Sequence, residues 1–75
     1  GSDMEYELKK SAEELRKSLE ELKRILDELH KSLRELRRHG DDEEYVQTVE
    51  ELRKELEEHA KKLEEHLKEL ERVAT

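Results

Sequence analysis

The chain has 75 residues, with 23 Asp or Glu against 16 Lys or Arg, a net charge of −7, two aromatic residues and no Cys or Pro. That length supports one small domain. Its acidic balance excludes the basic face that nucleic acid or an anionic membrane surface requires, and no membrane span or signal peptide is expected.

Charged residues make up 52% of the chain, a level at which disorder is the first thing to test. A seven-residue apolar period argues against it, because disordered polar tracts carry no such repeat. Gly1-Ser2 reads as a protease-cleavage scar without a role in the fold, and Ser2 or Asp3 as the cap of a first helix over about residues 3–38. From Ala12 to His39 the chain is four heptads. Leu8, Leu15, Leu22, Leu29 and Leu36 take seat d, and Ala12, Leu19, Leu26 and Leu33 take seat a. Seat g holds Ser11, Ser18, Ile25, Ser32 and His39; seat e holds Lys9, Arg16, Lys23, His30 and Arg37. Such a repeat keeps one seam turned toward a partner helix.

The pattern breaks at residues 39–41, His39-Gly40-Asp41. Gly is favoured just past a helix end, where the backbone turns left-handed. Asp41 is then expected to cap the second helix, with Glu44 three residues on as in a capping box. Arg37 and Arg38 sit at the negative end of one helix, and Asp42, Glu43 and Glu44 at the positive end of the next.

The second helix is expected over about residues 42–73. Val49, Leu56, Leu63 and Leu70 take seat a, Tyr45, Leu52, His59, His66 and Val73 seat d, and Val46, Arg53, Ala60, Leu67 and Ala74 seat e. This half carries the whole net charge: residues 41–75 hold 13 acidic groups and six Lys or Arg, while residues 1–40 are balanced at ten each.

A loop this short forces the helices antiparallel, so the fold class is all-α, a two-helix hairpin within residues 1–75. Pairing about the loop puts residue i near 81 − i or 82 − i, which makes almost every rung apolar on both sides. The exceptions are Leu22/His59 and Leu15/His66. Both helices carry a three-seat stripe, wider than a two-stranded seam needs. A lone hairpin is expected to leave Ala60, Leu67 and Ile25 wet, and a long exposed apolar strip marks an association surface. The interface core is expected from Leu15, Leu19, Leu22, Ile25, Leu26, Leu29, Leu33, Leu52, Leu56, Ala60, Leu63, Leu67 and Leu70. A coiled-coil-like four-helix homodimer is expected ahead of a six-helix trimer, and a cognate hairpin of another sequence is the alternative partner.

His59 and His66 occupy seats where the repeat calls for Leu, one heptad apart and so on one helix face. Opposite a row of serines they suggest a buried hydrogen-bond network, with Ser11, Ser18, Ser32 and Thr48 as further members. A buried polar group without a partner costs ~1–3 kcal/mol. The plainer alternative makes them half-wet rim residues. Burial would disfavour the charged imidazole, so acid between about pH 6 and 4 would loosen such an assembly.

A metal-binding bundle is the rival class, but the Glu-x-x-His of di-metal bundles is absent: Leu56 and Leu63 stand three before His59 and His66. Asp27-x-x-His30 lies on the outer side. No Cys nucleophile, Gly-rich phosphate loop or triad is present, so neither catalysis, a cofactor nor a small-molecule substrate is expected.

The Leu-Glu-Glu-Leu-x-Lys-Ser/Ile repeat, the Gly1-Ser2 start, the regular caps and the single Gly40-Asp41 turn resemble de novo designed helical-hairpin oligomers with modular buried hydrogen-bond networks. Residues 14–22, Glu-Leu-Arg-Lys-Ser-Leu-Glu-Glu-Leu, are similar to the outer helices of such designs. The resemblance spans the chain and implies a soluble synthetic association module, pH-responsive in the histidine versions, made recombinantly. The Asn/Gln-rich inner helix of the trimeric designs is missing here.

Overall fold

The computed structural model describes residues 2–40 and 42–74. Helix α1 spans Ser2–Arg38 and helix α2 spans Glu43–Ala74, and together they form an antiparallel hairpin 59 Å long and 14 by 12 Å across. No strand occurs among the described residues.

The helices end where local chemistry stops them. Gly40 has φ +67°, and its N–H donates to the carbonyl of Arg37 at 3.3 Å, which closes the last turn of α1. That bond and the left-handed backbone are those of a Schellman-type stop. A side chain at Gly40 would meet open space, so the requirement for glycine is conformational rather than steric. The cap of α2 is one residue later than expected. Asp41 lies outside the described residues. Asp42 accepts the N–H of Glu44 on its carboxylate and the N–H of Val46 on its carbonyl, each at 3.0 Å. Those are the two bonds of an N-cap residue.

In α1 the a seats lie innermost: Ala12, Leu19, Leu26 and Leu33 are buried, and the d-seat leucines are half-buried. In α2 the innermost seat is e. Ala60 and Leu67 are buried at 8% exposure, the a-seat Val49, Leu56, Leu63 and Leu70 are half-buried, and the d row faces out. The expectation that a lone hairpin leaves Ala60 and Leu67 wet is thereby corrected; of the three residues named, only Ile25 is exposed, at 40%. On one flank, cross-helix ion pairs join seat e of α1 to seat b of α2, residues whose numbers add to 87.

The turn of α2 has a physical cause. A three-seat stripe offers α1 either the a/d pair of seats or the a/e pair. Turning d inward would bury two imidazoles against leucine, at the cost of desolvated polar groups without partners. Turning e inward buries Ala60 and Leu67 instead and half-buries Val46. It also admits Arg53, which carries its own partners.

Candidate functional site

The hairpin has a closed flank and an open face. The closed flank is formed by seat e of α1 and seat b of α2. Arg16 pairs with Glu71, Lys23 with Glu64 at 3.5 Å, His30 with Glu57 at 3.8 Å, and Arg37 with Glu50 at 2.8 Å. This is one rung per heptad, Arg, Lys or His on α1 and carboxylate on α2. Because the pairs are largely exposed, each is worth no more than ~1 kcal/mol; their effect is to fix alignment.

The ladder tightens near the loop end around Arg53, whose side chain is 16% exposed. Its Nε donates to Glu50 Oε1 at 2.8 Å and its Nη1 reaches Glu57 Oε2 at 2.9 Å. The Nη1 also lies 3.4 Å from His30 Nε2. The hydrogen bond from Arg53 holds the Glu50 carboxyl below the ordinary carboxylate range, helped by a second bond from Arg37. Glu50 in turn raises the Arg53 guanidinium. An arginine at an inward seat is therefore satisfied by two carboxylates, a fixed feature of the closed side. Cation and carboxylate rows at heptad spacing are both visible in the sequence, but which row meets which follows only once α2 has turned its e seat inward.

The open face lies on the other side of the helix pair. Its floor is the two half-buried Leu rows, seat d of α1 and seat a of α2. Its margins are seat g of α1 and seat d of α2. Ile25 and Leu52 stand there at 40% and 47% exposure, and Tyr45 and Val73 are more exposed still. The proposed network residues His59, His66, Ser11, Ser18, Ser32 and Thr48 are all exposed. The Thr48 hydroxyl donates to the Glu44 carbonyl at 3.0 Å, a bond within its own helical turn rather than across the pair. Within one hairpin, then, the histidines share a face with the serines but lie in solvent.

The interface-core residues divide in the same way. Leu19, Leu26, Leu33, Ala60 and Leu67 belong to the buried interior of the hairpin. Leu15, Leu22, Leu29, Leu56, Leu63 and Leu70 are half-covered, and Ile25 and Leu52 line the open face. Among the described residues, no group of three or more His, Cys, Asp or Glu is placed to hold a metal ion, and no helix is long and apolar enough to cross a membrane.

No protein-family model, curated protein or solved structure matches the chain.

Proposed function

We propose that the chain is an assembly module whose open face takes another amphipathic helical hairpin to complete a four-helix bundle. The observation that carries this is an excess of surface. The hairpin exposes 6172 Å², whereas a compact folded chain of 9.1 kDa exposes about 4900 Å². The excess exceeds the ~800 Å² that each partner contributes to an ordinary stable interface. It includes two rows of half-covered leucines flanked by Ile25 and Leu52. Slender pairs of helices rarely hold more than ~3–5 kcal/mol from their own core, so covering this face also supplies stability. In the bundle His59 and His66 become interfacial, where imidazoles opposite serines confer pairing specificity and oppose association once charged. The resemblance to designed hairpin oligomers points the same way and implies a synthetic chain with assembly as its purpose.

Replacing Ile25→Glu and Leu52→Glu together puts carboxylates on the open face without touching the buried interior. In about 1 M salt, where charges are screened beyond ~3 Å, the unaltered chain is expected to sediment as a dimer at high micromolar concentration. The double variant is expected to stay single with its helicity kept. A single, cooperatively melting copy of the unaltered chain under those conditions, with Tm independent of concentration, would overturn the proposal.

A further inference from the structure

We propose that the hairpin closing the open face is not a second copy of this chain but a partner of complementary charge, with Lys or Arg along its rims. The inference rests on the open face being an association face, and names what covers it.

The closed flank shows what this hairpin does with charge where helices meet. Every heptad sets a basic seat of α1 against a carboxylate of α2, from Arg16–Glu71 to Arg37–Glu50. At the outer edge of the open face that complementarity is missing. Going round α1 away from α2, the seats run a, d, g and then c, and every c seat is an exposed glutamate: Glu7, Glu14, Glu21, Glu28 and Glu35. Beyond the d row of α2 comes seat g, with Thr48, Glu55, Lys62 and Glu69. Glu21 and Glu35 engage Arg24 and Arg38 on their own helix, and Glu69 engages Arg72. Glu28 acts on Arg24 only from beyond ion-pair distance, and Glu14 and Glu55 have no cation within ion-pair distance among the described residues.

A second copy has two ways to lie on this face. With α1 against the partner's α2, the glutamate row meets two glutamates for each lysine. With α1 against the partner's α1, it meets itself. Both place like charges together at the margin of an apolar contact, where juxtaposition selects against a partner, and both double a net charge of −7. A hairpin with Lys or Arg at these rims restores on the open side the pairing already present on the closed one. The apolar rows set how much is buried, and the rims decide with whom.

The test uses a charge-reversed form of this chain as the probe, carrying Glu14→Lys, Glu28→Lys, Glu55→Lys and Glu69→Lys. In about 10 mM salt, where charges act over ~30 Å, equimolar mixing is expected to give a mixed dimer at least about tenfold tighter than either chain with itself, as several rim pairs together allow. The preference should collapse in about 1 M salt. Circular dichroism of the reversed form establishes that it is helical. Should it not be, the neutral set Glu14→Gln, Glu28→Gln, Glu55→Gln and Glu69→Gln answers the same question. In low salt it should self-associate severalfold more tightly than the unaltered chain, and equally in high salt. If the unaltered chain pairs with itself in low salt as tightly as with the reversed form, or as tightly as the neutral set, the partner inference fails while the association face stands. If no form associates even in high salt, both fail.

Discussion

Along one side of the helix pair, Arg16, Lys23, His30 and Arg37 meet Glu71, Glu64, Glu57 and Glu50, and Arg53 is held between two carboxylates. Along the other, Leu52, His59 and His66 stand exposed above half-covered leucines, rimmed by glutamate. Both sides are cut from the same heptads. They differ because each helix has a three-seat apolar stripe and one neighbour, which covers about two seats and leaves the third. On the covered side, charge and apolar area are both matched within the chain. On the uncovered side the leucines are half-covered and the rim glutamates that pair do so only within their own helix, the mismatch from which we propose a partner.

The largest expected effect separates the two sides by leucine truncation. Leu33 is only 2% exposed, while Leu52 is 47% exposed. Leu33→Ala should cost about 2–5 kcal/mol in any state of assembly. Leu52→Ala should change the isolated hairpin by no more than ~0.5 kcal/mol. In the assembled bundle Leu52 becomes a covered residue, and the same change should approach the cost at Leu33. Urea melts of the Ile25→Glu background and of the assembled protein supply the two reference states. An equal, small cost for Leu52→Ala in both would mean that nothing covers the open face.

A smaller effect concerns the histidines. Replacing His59→Leu and His66→Leu restores the heptad and adds apolar area to a face that is solvent-exposed in the single hairpin. The variant should associate more strongly at pH 7.5 and show less partner discrimination. It should also lose any weakening of association that the unaltered chain shows between about pH 7.5 and about pH 4.5. Sedimentation at both pH values reads this directly. Retention of the same acid response by the leucine variant would assign it to carboxylates instead.

Much of this architecture is legible in the residues. The heptad run of Leu8 to Leu36 marks α1, Gly40 marks the turn, and the rows headed by Val49 and Tyr45 mark a striped α2. The turn of α2 about its own axis is not legible, because periodicity identifies the e-a-d stripe without saying which edge goes inward. His59 and His66 held the clue: imidazoles unpartnered within the hairpin favour the outward edge, and Ala60 and Leu67 accept the inward one. Reading d as the inward seat also hid the charged ladder between seat e of α1 and seat b of α2. Asp42 rather than Asp41 as cap is a one-residue matter on which two adjacent aspartates give no guidance.

The smallest expected effect lies wholly on the covered side. The Glu50 carboxyl is held below its ordinary range by hydrogen bonds from Arg53 and Arg37. A depressed folded-state value means that Glu50 stabilises the hairpin fully above the ordinary carboxylate range and stops doing so as pH falls through the lowered one. The hairpin should therefore soften below about pH 4.5, independently of protein concentration. Glu50→Gln should flatten that part of the profile. Arg53→Leu should flatten it too, and because it replaces an inward cation with the residue type its row otherwise carries at Leu67, it should leave Tm at neutral pH nearly unchanged. Thermal melts of the Ile25→Glu, Leu52→Glu background from pH 3 to 7 isolate this response from assembly. A profile equally steep with Glu50→Gln would place the acid sensitivity in other rungs of the ladder. A large neutral-pH loss with Arg53→Leu would show that the ion-paired fork, rather than the leucines around it, sets how α2 is turned.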